Sequence, residues 1–219
     1  MSSLVLVGLP IGNYEDCSIR VINFLKQVPL IICEDTRVTK HLLLSLGIEC
    51  ETISYISAKE TAFRKASKLI AHGKDVAFVS DRGMPCISDP GAKAVEHFRS
   101  LNIKVECLPG PSALTVAIAL TGYSGGFIFH GFLPRKKSEI LKVANMLGSM
   151  PYHIVFFEAP FRMKKTLELL STIFEGREIT IARELTKTYE EIIQGKIEDI
   201  AKRDFQGECV LIIKAHAGN

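Results

Sequence analysis

The chain has 219 residues, 47% of them hydrophobic, which is enough for one large domain or two small ones with a buried core and excludes an intrinsically disordered protein. A net charge of +3 is only mildly basic, so it allows a polyanionic partner without demanding one. Six cysteines (Cys17, Cys33, Cys50, Cys86, Cys107, Cys209) are scattered with no C-x-x-C pair, and six histidines do not cluster with them; this argues for reduced core thiols in a cytosolic protein and against a disulfide framework or a metal site. No apolar run reaches the roughly 18 residues of a membrane span. The apolar run at residues 3–8 is too short for a signal peptide, and no basic residue precedes it.

In chain order, Ser3–Gly8 predicts a buried strand, and Leu9–Asn13 a turn. Ser18 caps a helix over Ile19–Gln27. Leu30–Cys33 is a second buried strand, Val38–Leu46 a helix ended by Gly47, and Glu51–Tyr55 a short strand. Ser57 and Glu60 form a capping box for a helix reaching His72. Asp75–Ser80 is the next strand. After it, Asp89 and Pro90 predict an N-cap and first turn for a helix to about Leu101, followed by a strand at Ile103–Cys107 and a helix at Ala113–Leu120. This βα alternation implies parallel strands with right-handed crossovers.

The glycine-rich stretch Thr121–Gly126 predicts a boundary between an N-terminal α/β domain, 1–121, and a C-terminal one, 122–219. Beyond it the sequence predicts strands at Phe127–His130, Tyr152–Phe157, Glu178–Arg183, Tyr189–Gln194 and Glu208–Lys214. Helices are expected at Ser138–Leu147, Phe161–Phe174 and Lys196–Lys202. Strands follow one another closely here, so a mixed sheet is expected.

Two turn-rich loops, Ser80–Gly91 and Leu108–Ala113, each follow an apolar strand and lead into a helix. In an open parallel sheet such loops lie at the carboxyl ends of strands, where ligands bind; the plainer reading is two ordinary turns. Glu34-Asp35-Thr36-Arg37 ends the second strand. Arg37 can grip a phosphate and Asp35 or Glu34 can orient a hydroxyl or take its proton, or the group is a helix N-terminus with an internal ion pair. Glu158 and Glu184 repeat the pattern of an acid directly after a strand. Arg135, Lys136 and Lys137 form a basic cluster beside Phe132, suited either to phosphates or to a solvated loop. Residues 8–12 carry neither a P-loop ending nor G-x-G-x-x-G, which disfavours ATP and NAD. The histidines at 41, 72, 97 and 153 read as structural or solvent-facing, and no Ser or Cys sits in a nucleophile elbow.

Seven segments in this order, L-P-I-G-N (Leu9–Asn13), E-D-T-R (Glu34–Arg37), S-D-x-G-x-P-x-I-S-D-P-G (Ser80–Gly91), L-P-G-P-S-A (Leu108–Ala113), G-F-L-P-R-K (Gly131–Lys136), F-F-E-A-P (Phe156–Pro160) and A-R-E-L-T-K (Ala182–Lys187), resemble the bacterial small-subunit ribosomal RNA (cytidine-2′-O)-methyltransferases of the tetrapyrrole (corrin/porphyrin) methylase superfamily. The resemblance covers nearly the whole chain. It implies two α/β domains, a homodimer in the cytoplasm, and S-adenosyl-L-methionine bound between the domains. By similarity, that cofactor contacts Pro10, Asp81, Gly83, Met84, Pro85, Ile87, Ser88, Ser112 and Ala113, with Phe132 and Glu158 contributed by the second domain. The implied substrate is a cytidine 2′-hydroxyl of small-subunit (16S) ribosomal RNA, with Arg135, Lys136 and Lys137 on its backbone. Asp35 is the first candidate for the base, with Glu34 and Glu158 next, and Arg37 anchors a phosphate or locks Asp35. The chain departs from the family pattern at Leu9, at Arg82–Pro85, at residues 56–59, and in ending at Asn219 without a further C-terminal segment. Two alternatives are methylation of a tetrapyrrole-like or other small molecule by the same fold, and a non-catalytic cofactor-binding homologue, the latter motivated by Arg82 and Met84.

Overall fold

The structure is a computed structural model that describes residues 2–216, so the end of the chain at Asn219 lies outside the described residues. The chain divides into two compact units, Met1–Ser112 and Ala113–Asn219.

In the first unit, β1 (Ser3–Val7), α1 (Ile19–Leu25), β2 (Ile31–Cys33), α2 (Thr36–Ser45), β3 (Thr52–Ser54), α3 (Lys59–Ala71), β4 (Val76–Phe78), α4 (Ala92–Ser100) and β5 (Lys104–Leu108) alternate as the sequence predicts. The sheet order is β3-β2-β4-β1-β5, and every pairing is parallel. Alternate residues of the central strands serve two faces. Val5, Val7, Ile31, Cys33, Ala77 and Val79 pack with Val21 and Leu25 of α1 and Leu42 and Leu43 of α2. Leu4, Ile32, Val76 and Phe78 pack with Ala62, Phe63 and Ala66 of α3 and Ala94 and Phe98 of α4. Helices on both faces leave the carboxyl edge of the sheet as the place where loops converge.

Two helix starts differ from expectation. Helix α3 has Ala58, not Ser57, at its N-cap, with no side-chain cap bond, because Ser54 Oγ accepts from the Ile56 and Ser57 amides and turns the chain there. Helix α4 starts at Ala92 behind Gly91 (φ 138°), because the Pro90 carbonyl is taken by the Cys86 amide and belongs to the loop.

The second unit contains α5 (Ala113–Thr121), β6 (Phe127–Phe132), α6 (Lys137–Gly148), β7 (His153–Glu158), α7 (Pro160–Ser171), β8 (Glu178–Arg183), β9 (Glu191–Lys196), α8 (Ile197–Ile200) and β10 (Cys209–Ile213). Its sheet, ordered β6-β7-β10-β8-β9, is mixed: β6 and β7 are parallel, the rest antiparallel. Helices α6, α7 and α8 bury Ala144, Leu147, Met163, Leu167 and Ile197 against Phe156, Ile181 and Leu211. Helix α5 packs on β8 and β10, so the division falls after Ser112 rather than in the glycine-rich stretch that follows α5. Among the described residues no helix is long and apolar enough to cross a membrane.

Candidate active site

Three loops at the carboxyl edge of the parallel sheet are stitched together. The Gly8 amide donates to the Leu108 carbonyl at 3.0 Å, and the Leu9 amide donates to the Gly83 carbonyl at 2.9 Å. Gly8 and Gly110 cross so closely that a Cβ on Gly8 would lie 2.5 Å from the Gly110 nitrogen and 2.5 Å from Met84 Sδ. Met84 thus packs over the crossing instead of presenting a hydroxyl. Pro10, Gly83 and Pro85 are buried at the base of this knot, Asp81 and Met84 are half-buried, and Ile87 and Ser88 are exposed. Cys86 (φ 72°) and Ser88 (φ 62°) are held in the left-handed region without being glycine. Such strain persists only where the surroundings impose it, and it concentrates at functional loops. Burial, and then the nearby Asp89 and Cys107, push the Cys86 thiol up, which disfavours its thiolate.

Asp81 ties this knot to the acidic end of β2, because its Oδ1 accepts from the Asp35 amide at 3.0 Å. Asp35 caps α2: its Oδ1 accepts from the Arg37 amide at 2.8 Å, and the Arg37 guanidinium grips both carboxylate oxygens, the shortest contact being 2.6 Å. Arg37 lowers the Asp35 carboxyl from 3.8 to about 2. The N-cap and internal ion pair of the plainer reading are both present. Glu34 goes the other way: burial first, then the Asp81 charge, raises its carboxyl above the usual carboxylate value.

Beside the knot opens a cleft of about 440 Å³ lined by Pro10, Gly12, Tyr14, Arg37, Val38, His41, Leu42, Asp81 and Arg82. Tyr14 and His41 were not expected there. Tyr14 Oη and His41 Nδ1 lie 3.0 Å apart in a hydrogen bond. The signal available was position: Tyr14 directly follows the L-P-I-G-N turn, and His41 lies one helical turn beyond Arg37.

The remaining candidates lie on the second unit. Glu158, at the end of β7, is 2% exposed. It accepts from the Ala159 amide and from Thr166 Oγ1, both at 2.8 Å, and pairs with Arg162 at 3.3 Å. Arg162 in turn donates to the carbonyls of Pro134 (2.5 Å) and Leu133 (3.3 Å). This arginine, also missed in the sequence although it sits four residues past Glu158, anchors the loop between β6 and α6. That loop holds Arg135 and Lys136 and leads into Lys137, the first residue of α6; all three are exposed, with Lys136 3.5 Å from Glu139. Phe132 is exposed on edge strand β6 and packs edge-on against Phe157. Lys136 is the N-cap of α6 and makes no side-chain cap bond. Three cations at the positive end of a helix dipole contradict the local preference, as functional surfaces do.

Comparison with known proteins gives this arrangement its class. The family described as Tetrapyrrole (Corrin/Porphyrin) Methylases matches residues 3–201. A protein of Thermotoga maritima named Ribosomal RNA small subunit methyltransferase I is 43% identical, covering 97% of this chain and 98% of that protein. A protein of the same name from Bacillus subtilis is 42% identical, over 98% of this chain and 75% of that one. Among solved structures, the methyltransferase CobJ superposes with a TM-score of 0.74 at 19% identity, covering 100% of this chain and 96% of CobJ. The uroporphyrin III C-methyl transferase of Thermus thermophilus gives 0.67 at 17% identity, covering 97% of each chain, and at these identities the likeness speaks for the fold alone. The chain belongs to the tetrapyrrole (corrin/porphyrin) methylase family. It is a methyltransferase.

Proposed function

We propose that the chain transfers a methyl group from S-adenosyl-L-methionine to small-subunit ribosomal RNA, at the ribose 2′-oxygen of a cytidine. The observation that carries this reading is the near end-to-end identity with the Thermotoga maritima protein, 43% over 97% of this chain and 98% of that one. The basic loop at Arg135–Lys137, set against the dipole of α6, adds support, since RNA backbones reward such clusters. Such a substrate places the protein in the cytoplasm, and the family resemblance adds a homodimer.

The donor set of the knotted loops fits the cofactor. The Asp81 carboxylate suits a cationic sulfonium or ammonium, the Ser88 and Ser112 hydroxyls suit polar ligand groups, and the tight crossing at Gly8 and Gly110 holds backbone rigid against a ligand. When bound, S-adenosylmethionine supplies a methyl group already activated on a cationic sulfur. The chain's own tasks are to hold the 2′-oxygen in line with that methyl and to take the hydroxyl proton. Of the two carboxylates at the end of β2, Glu34 is the stronger acceptor, because its carboxyl is raised while Arg37 holds Asp35 at about 2. Asp35 then caps α2 and fixes Arg37. Glu158, buried and committed to three donors, serves the loop that carries the cations. Mass-spectrometric mapping of ribose methylation on small-subunit RNA, with and without the active protein, tests the assignment. Glu34→Gln is expected to slow transfer at saturating substrate more than Asp35→Asn, and the reverse order returns the base to Asp35.

A further inference from the structure

We infer that the cleft between the first-strand turn and α2 is a nucleotide-binding subsite, in which Tyr14 and His41 hold the base of an unstacked RNA residue and Arg37 and Arg82 take its phosphates. The inference rests on the RNA-methylating function proposed above and names where on the first unit the substrate residue is held. Four features converge in the cleft.

Its volume of about 440 Å³ lies within the range of small-molecule sites. One wall is aromatic. Tyr14 is 42% exposed, on a short 3-10 turn, yet its ring is fixed by the hydrogen bond to His41, with the two rings 6.3 Å apart and tilted by 53°. An exposed, immobilised aromatic on a polar surface is the form that base-stacking platforms take, and it needs no sequence-specific partner. Val38, also exposed, extends that wall. The opposite side is cationic. Arg37 is 89% exposed even while its guanidinium holds Asp35, so its outer face remains open to an oxyanion. Arg82 reaches the same cleft from the Ser80–Gly91 loop. Finally, Pro10 and Asp81 belong both to this cleft and to the loops assigned to the cofactor. A ribose seated here therefore lies beside both the proposed methyl donor and the acidic end of β2.

The test uses cytidine 3′,5′-bisphosphate as probe, with cytidine and inorganic phosphate as separate arms, read by ligand-observed NMR on the full chain without cofactor. The bisphosphate is expected to bind more tightly than either arm. Tyr14→Ala, His41→Ala and Arg82→Ala each weaken it by about tenfold, while Tyr14→Phe, which keeps the ring but loses its bond to His41, recovers part of the affinity. Calorimetry with S-adenosylmethionine on Tyr14→Ala should match the parent protein, which separates loss of the subsite from misfolding. In the methylation assay the same variant raises KM for RNA more than it lowers kcat. No binding of the bisphosphate by the parent protein, or unchanged affinity and KM in Tyr14→Ala, overturns the subsite. Methylation of small-subunit RNA with an unaffected Tyr14→Ala leaves the function standing and removes only the subsite. Bisphosphate binding that depends on Tyr14, without any methylation of small-subunit RNA, does the reverse.

Discussion

Each unit of the chain ends a strand with a carboxylate, starts a helix directly afterwards, and closes the carboxylate with an arginine on that helix. At Asp35 the arginine is two residues on; at Glu158 it is four. The chemistry is nearly the same and the surroundings are opposite. The Arg37 side chain is 89% exposed and that of Asp35 29%, so water reaches the pair and competes with its contacts. Glu158 has no exposed side-chain surface, and three donors are committed to it. One motif therefore serves two purposes: an open ion pair that a ligand can reach, and a closed one that fixes a loop. The sequence pattern is shared, and burial decides which purpose it serves.

The sharpest way to break this comparison is to remove each carboxylate. Glu158→Ala leaves buried Thr166 without its acceptor and leaves Arg162, half-buried, with only the Pro134 and Leu133 carbonyls to hold it. Losing hydrogen bonds to a charged group and leaving a buried hydroxyl unsatisfied costs about 3 kcal/mol together, so chemical denaturation should show a loss of that size. Thr166→Val removes only one donor and should cost about 1 kcal/mol. Next in size is Gly8→Ala, whose added methyl would lie 2.5 Å from backbone at Gly110. Overpacking of that kind costs about 2 kcal/mol, and because it prises apart two loops proposed to hold the cofactor, calorimetry should show S-adenosylmethionine affinity falling with it.

The basic loop that Glu158 and Arg162 hold sharpens the same contrast from the functional side. Reversing Lys136 and Lys137 to Glu removes cations from the positive end of α6. Stability should hold or rise slightly, while RNA affinity should fall by about tenfold and the dependence of log K on log salt should flatten by one to two units. A variant that leaves both affinity and salt dependence unchanged would remove RNA from the role of that loop.

How far these features were legible varies with the distance over which they form. The parallel order of the first sheet follows from apolar runs such as Leu30–Cys33 and Val76–Phe78 alternating with amphipathic helices, and the cap at Ser18 was visible in place, its Oγ accepting from Val21 at 3.2 Å. Local rules failed where a loop overrode them. Ser57 lost its cap role because Ser54 already satisfied the turn, and Pro90 joined the loop through the Cys86 amide. The acidic strand ends were legible as positions. That Asp35 would be open and Glu158 closed was not, because burial depends on packing between elements distant in sequence. Tyr14 and Arg162 were missed for the same reason: each gains its role from a partner, His41 or the Leu133 carbonyl, that adjacency in the sequence does not reveal.

The smallest effect belongs to the open pair, and its sign follows from the shift. Arg37 lowers the Asp35 carboxyl from 3.8 to about 2 in the folded chain. A carboxyl whose value is depressed on folding contributes stability at pH above its unfolded value and loses that contribution as pH falls through its folded value. The contribution of Asp35 should therefore be complete above about pH 4 and disappear toward about pH 2. Because the pair stands in solvent, salt should weaken it. Asp35→Asn removes this titration while keeping a side-chain oxygen for the cap, so its stability, followed by denaturation between those limits, should change less with acid than that of the parent chain. The difference should shrink in high salt. Glu158→Gln provides the contrast, since it breaks a buried pair and should destabilise the chain at neutral pH, where Asp35→Asn costs least. If Asp35→Asn were instead the costlier change at neutral pH and insensitive to salt, the open and closed pairs would have been assigned the wrong way round.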